Sequence, residues 1–99
     1  MKIRASLQGD TVEVKVLMSH EMETGQRKDA SGAVIPAHFI NTVTAECNGK
    51  TVLTAHWGPA VSKNPYLAFK FKGAAKGDKV KITWTDNKGD SRSDEGTVA

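Results

Sequence analysis

Residues 11–18 read TVEVKVLM. Val12, Val14, Val16 and Met18 fall on one side of this stretch, with Thr11, Glu13 and Lys15 on the other. Successive side chains of a strand point to opposite faces, whereas a helix would need apolar residues three and four apart. The stretch is therefore a half-buried strand, and the same period recurs around it. Residues 2–7 (KIRASL) group Ile3, Ala5 and Leu7; residues 66–72 (YLAFKFK) group Leu67, Phe69 and Phe71. Residues 78–85 (DKVKITWT) group Val80, Ile82 and Trp84. Turn-forming residues separate the strands at Gln8-Gly9-Asp10, Asn48-Gly49, residues 73–77 and Asn87-Lys88-Gly89. The tail DSRSDEGTVA predicts a weaker last strand, and no segment carries convincing helical spacing. About seven short strands in a single 99-residue domain, residues 1–99, predict an all-β fold: an immunoglobulin-like antiparallel β-sandwich.

Composition narrows the class further. Cys47 is the only cysteine, so the sandwich has no intrachain disulfide and the chain has no paired-cysteine metal knuckle. With 14 basic and 11 acidic residues the net charge is +3, too mild to mark a nucleic-acid binder by itself. No apolar run approaches the roughly 18 residues of a membrane span. The start, MKIRASLQGD, has basic residues but no apolar core, so no secretory signal is expected there; alone, that reads as cytoplasmic.

The hairpin around Asn48-Gly49 admits two registers. A two-residue loop makes Cys47 face Lys50 and mixes polar with apolar residues on both faces. A three-residue loop, Cys47-Asn48-Gly49, pairs Val43 with Leu53, Asn41 with Ala55 and Phe39 with Trp57, leaving Thr42, Thr44 and Glu46 opposite. A one-residue slip exchanges faces, so the cleaner separation favours the odd-length loop, with Cys47 at the hairpin tip. A small buried thiol is the alternative for Cys47.

Reactive chemistry finds little support. His20, His38 and His56 recur every 18 residues and, with Cys47, would make a three-His, one-Cys redox metal site on this fold. No two of them have the close spacing of a zinc site, so scattered surface or interface histidines are the preferred reading and no metal or cofactor is expected. HEMET, at residues 20–24, begins like a zinc-protease helix but has Thr24 where the second histidine belongs. Lys70 and Lys72 alternate with Phe69 and Phe71, and Lys79 and Lys81 with Val80 and Ile82, so the pleat sends cations and aromatics to opposite faces. A single-strand platform needs them on the same face, which argues against nucleic acid. There is no GxSxG elbow and no base beside Cys47, so no catalytic residue is assigned.

One segment is too long for an ordinary connection. Residues 20–36, HEMETGQRKDASGAVIP, separate two strand-like runs with a polar stretch. Loops beyond about 12–15 residues are usually functional or disordered. Its charged centre and apolar ends suit a protein surface better than a small-molecule pocket.

The run LMSHEMETGQRKD (residues 17–29), followed by AVSKNPYLAF (60–69) and ITWTDNKG (82–89), resembles the SoxZ family. SoxZ is the small subunit of the SoxYZ carrier complex of bacterial thiosulfate oxidation. The likeness extends from Thr11 to the carboxyl terminus, and its most specific part is the METGQRKD segment. Glu21 departs from it, standing where proline is usual, and the lead before the first strand is short. The resemblance implies a non-enzymatic, immunoglobulin-like subunit that pairs with SoxY, whose carboxyl-terminal cysteine carries the sulfur substrate. The tail here has no cysteine, so the chain looks like the non-carrier subunit, and Cys47 does not inherit the carrier role. The resemblance also implies transient contacts with SoxAX, SoxB and the sulfur dehydrogenase, and a periplasmic location reached by co-export with SoxY. A heterodimer needs apolar anchors within a polar rim. Leu17, Met22, Ile40 and Tyr66 are the expected anchors, and Arg27, Lys28 and Asp29 the expected rim.

Overall fold

The alternating segments become seven strands: β1 (Lys2–Gln8), β2 (Thr11–Leu17), β3 (Ile40–Cys47), β4 (Lys50–His56), β5 (Tyr66–Lys72), β6 (Lys79–Asp86) and β7 (Ser91–Thr97). The computed structural model, which describes residues 1–99, arranges them in two antiparallel sheets, ordered β1-β2-β5 and β4-β3-β6-β7. This is the expected sandwich of immunoglobulin-like type, without a helix or a disulfide.

Register explains which residues are inside. In the first sheet the inward rows are Ile3–Val16–Leu67, Ala5–Val14–Phe69 and Leu7–Val12–Phe71. Val12, Val14 and Val16 of the central strand are fully buried, whereas Leu67, Phe69 and Phe71 of the edge strand β5 are half-buried. In the second sheet the rows Ala55–Val43–Trp84 and Leu53–Ala45–Ile82 meet them. Each buried valine or isoleucine side chain stabilises the sandwich by about 1.5–3 kcal/mol over an exposed one.

One flank is closed by the end of the chain. Val98 bridges Ala5 in parallel, the Leu7 amide donates to the Ala99 carbonyl and the Ala99 amide to the Ala5 carbonyl, both at 2.9 Å. The opposite flank, between β4 and β5, has no strand pairing across it.

Two β-bulges correct the sequence reading. The β3–β4 loop is the two-residue Asn48-Gly49 turn, with φ of 54° and 76° at its two residues, and Cys47 does face Lys50. Both residues must be left-handed in this turn, which asparagine and glycine tolerate best. The faces stay clean because the register shifts between Ala45 and Glu46, so that Ala45 pairs Leu53 and Val43 pairs Ala55. Val52 is the extra residue, and one extra residue restores the parity that a three-residue loop would have supplied. Cys47 is therefore not at the tip; it ends β3 pointing inward, 4 % exposed.

The second bulge lies at Asn41, between the pairs Ile40↔Asp86 and Thr42↔Thr85. It puts Ile40 on the same inner face as Val43, and Ile40 is fully buried. Ile40 packs the core and offers no surface anchor.

The shape is elongated, with extents of 53 × 20 × 16 Å and a radius of gyration of 15.5 Å. About 13 Å is usual for a chain of this length. Strands of seven or eight residues span about 25 Å, so much of the long axis belongs to the segment between β2 and β3.

Candidate functional site

The segment between β2 and β3 leaves the sandwich at the end where the β4–β5 and β6–β7 connections lie, and runs out and back as an irregular antiparallel ribbon. Glu23 and His38 exchange both backbone hydrogen bonds, at 2.6 and 3.0 Å; further out, the Ile35 amide donates to the Arg27 carbonyl and the Asp29 amide to the Ala33 carbonyl. The long polar stretch is thus an ordered arm, with its turn at residues 30–32.

Polar side chains brought from distant parts of the chain hold its base. His20 Nε2 lies 3.1 Å from Asp86 Oδ2, and His38 Nε2 lies 2.8 Å from the same oxygen. The other oxygen, Asp86 Oδ1, accepts from the amides of Lys88 and Asp90, each at 3.0 Å. An ionised carboxylate is acceptor-only with about four lone-pair sites, and this one meets four donors. His20 Nδ1 accepts the Met22 amide at 3.0 Å, so the proton of a neutral His20 sits on Nε2, facing Asp86. Trp84 stands edge-on to the His20 ring, 5.1 Å between centroids, and His38 packs against it at 4.5 Å.

Asp86 is 2 % exposed. Burial pushes its carboxyl up, but the hydrogen bonds from His20, His38 and the Asp90 and Lys88 amides outweigh it and hold the pKa at about 2. Removing a charge from water costs several kcal/mol unless hydrogen bonds replace its hydration, which is what the four donors do here.

Two asparagines complete the base. The Asn64 side chain accepts the His20 amide at 3.1 Å, and the Asn64 amide donates to the His20 carbonyl at 3.0 Å. Asn87 accepts the Phe39 amide and donates to the Ala37 carbonyl, both at 2.8 Å. His20, Asn64, Asp86 and Asn87 come from the three stretches SHEMETGQRKD, KNPY and WTDNKG. Residues scattered along the sequence thus converge on one structural purpose, the fixing of the arm.

Met22 belongs to this base and not to the surface. Its φ of 51° turns the side chain inward, where Met22 Sδ accepts the Ile40 amide at 3.3 Å; the residue is 5 % exposed. Like Ile40, it is a core residue and not an exposed anchor. Leu17 and Tyr66 differ: they pair across β2 and β5 on the outer face and are 44 % and 59 % exposed.

On the arm, Arg27 forms a bidentate pair with Glu23, whose carboxyl this partner holds below its usual range. Lys28 is exposed and makes a backbone bridge with Val34. The Asp29 carboxylate is occupied within the tip, accepting from Ser31 Oγ at 2.6 Å and from the Ser31 and Ala33 amides. These bonds hold its carboxyl low and make it a turn-former.

The proposed grouping of His20, His38, His56 and Cys47 does not form. His56 pairs Thr42 on the outer face of the other sheet, and Cys47 lies at the far end of β3, about 20 Å along the strand from Ile40. His20 is buried, contrary to the reading of surface histidines. His20, His38 and Asp86 do place their ligand atoms within 4.8 Å of one another. However, a metal on His20 Nε2 would need an imidazolate while Nδ1 still accepts Met22. Ligation through Nδ1 would orphan the buried Met22 amide. The donor set fits a hydrogen-bonded knot better than a metal centre.

A family model described as sulphur oxidation protein SoxZ matches residues 1–97. This chain belongs to the SoxZ family. It is a sulfur-oxidation protein, and the match runs through the arm, the knot at its base and every strand of both sheets. No curated protein matches the chain at a significant level of similarity.

Proposed function

We propose that this chain is the non-catalytic subunit of a sulfur-carrier heterodimer, pairing with SoxY and presenting the SoxY-borne sulfur to the enzymes of the cycle. The observation that carries the reading is the arm: an ordered, projecting ribbon whose base consumes its reactive-looking side chains in hydrogen bonds. With its base already fixed, the arm loses less entropy on docking than a wholly mobile loop would.

Cys47 supports placing the sulfur on the partner. It is buried, and burial together with the nearby Asp78 carboxylate raises its thiol above the usual range. The thiolate is the nucleophile, so a buried thiol with a raised pKa is a poor carrier. Leu17 and Tyr66 are the proposed apolar anchors, with Arg27 and Lys28 on the rim. In this reading SoxAX, SoxB and the sulfur dehydrogenase are transient visitors, and the protein works in the periplasm after co-export with SoxY.

Co-expression with a SoxY carrier subunit, followed by size analysis and intact-mass measurement after thiosulfate loading, tests the proposal. A one-to-one complex with the adduct on the partner's cysteine is expected. Cys47→Ser should leave loading intact, and Leu17→Asp should weaken pairing while the domain stays folded. Separate elution of the two chains, or an adduct on Cys47, would end the reading.

A further inference from the structure

The outer face of the β1-β2-β5 sheet holds the molecule's excess charge. Its rows are Lys2–Leu17–Tyr66, Arg4–Lys15–Ala68, Ser6–Glu13–Lys70 and Gln8–Thr11–Lys72. Five cations stand there against Glu13 and, at the β1–β2 turn, Asp10. That surplus of three equals the formal net charge of the whole chain, so the rest of the molecule is balanced. Glu13 is shared between Lys15 and Lys70, at 3.3 and 3.7 Å, and Asp10 lies 3.6 Å from Lys72. Lys2 and Arg4 have no acidic side chain within ion-pair distance.

These cations surround an apolar spot. Lys2, Arg4, Lys15, Leu17 and Tyr66 enclose a shallow depression of about 200 Å³ at the arm-bearing end of the sheet. The outer face of the four-stranded sheet is a natural contrast: Thr44, Thr54, Thr83 and Ser93 cover it, and its Lys79 lies 3.9 Å from Glu95.

We infer that the β1-β2-β5 face docks an acidic protein segment that seats one apolar side chain against Leu17 and Tyr66 while its carboxylates meet Lys2, Arg4 and Lys15. Charge complementarity selects the acidic partner and speeds encounter. The apolar seat within a cationic rim selects protein over nucleic acid, because an interface needs an apolar centre. A single-strand platform would instead stack successive bases on several exposed aromatics, and this face carries Tyr66 alone. The inference rests on the partner reading only in taking Leu17 and Tyr66 as anchors.

The test uses the full chain and three probes followed by amide chemical shifts at low salt. They are a twelve-residue peptide of glutamates around a central phenylalanine, the same peptide with serine in place of phenylalanine, and a thymidine dodecamer. The phenylalanine peptide should shift Lys2, Arg4, Lys15, Leu17 and Tyr66, and bind about tenfold tighter than the serine peptide, the loss expected for one apolar side chain. The double variant Arg4→Glu/Lys15→Glu should lose about tenfold or more and Arg4→Gln/Lys15→Gln less, while Lys79→Glu/Lys81→Glu stays within about twofold. Unchanged thermal unfolding of the folded variants confirms that the face alone is altered. Equal binding of the two peptides, equal losses for the control pair, or tighter binding of the oligonucleotide would overturn the inference. Co-purification with the carrier subunit is a separate readout, so the inference and the partner reading can fail independently.

Discussion

The arm's base and its tip belong to one stretch of chain, yet they are held in different ways. At the base, a buried carboxylate gathers two imidazoles and two amides from three segments, His20 and Asp86 being 66 residues apart. Toward the tip the side-chain bonds are local: Asp29 caps its own turn, and the exposed Arg27 reaches back to Glu23 four residues away. Long-range buried bonds open only when the domain opens, whereas local exposed ones open alone. The arm is therefore clamped at its base by long-range bonds and adaptable where it projects.

Substitutions at the two places should therefore differ widely. Asp86→Ala leaves two imidazole N–H groups and two amides without an acceptor, and should lose about 3–5 kcal/mol. At about 4–8 °C per kcal/mol for a domain of this size, the thermal midpoint falls by well over 10 °C. A small shift would mean that the knot is not what joins arm to sandwich.

Acid sharpens the same contrast. The folded carboxyl of Asp86 sits at about 2, below its ordinary 3.8, so its contribution is present above pH 4 and fades as the pH falls toward 2. The difference corresponds to about 2 kcal/mol. Urea unfolding at pH 4, 3 and 2 should reveal that acid-sensitive component in the wild type and its loss in Asp86→Asn. Parallel curves for the two proteins would contradict the assignment. Asparagine also offers an NH2 where two donors point, and His20 cannot switch tautomer to accept it while Nδ1 holds Met22.

Asn87→Ala, which removes the side-chain bonds to Phe39 and Ala37, should cost about 1 kcal/mol. Amide exchange at Phe39 should accelerate more than exchange in β2. Arg27→Ala, at the exposed end, should have the smallest effect, leaving the thermal midpoint within the error of a scan. A larger fall for Arg27→Ala than for Asn87→Ala would reverse the ranking of base and tip.

The strands were legible because burial on one face imposes a period of two, as residues 11–17, 66–72 and 79–86 illustrate. The β3–β4 register was not, because a tight turn plus a bulge at Val52 has the same facial parity as a longer loop. Ile40 was misplaced for the same reason, since the bulge at Asn41 rotates it inward. The knot was hidden differently: neither periodicity nor local spacing links His20 to Asn64 or Asp86, which lie 44 and 66 residues away. The signal that was present lay in the family-like strings, whose polar residues meet at the arm's base. Leu17 alone on the polar face of β2 was readable directly, and it is exposed as its position implies.

Hydrogen exchange along the arm, compared between the free chain and the chain co-purified with the proposed carrier subunit, separates a clamped base from an adaptable tip. The amides of Met22, Glu23, His38 and Phe39 should be protected in both states. Those of residues 26–34 should exchange quickly in the free chain and slow on pairing. Unprotected base amides in the free chain, or a tip indifferent to the partner, would contradict the picture of a clamped arm that docks.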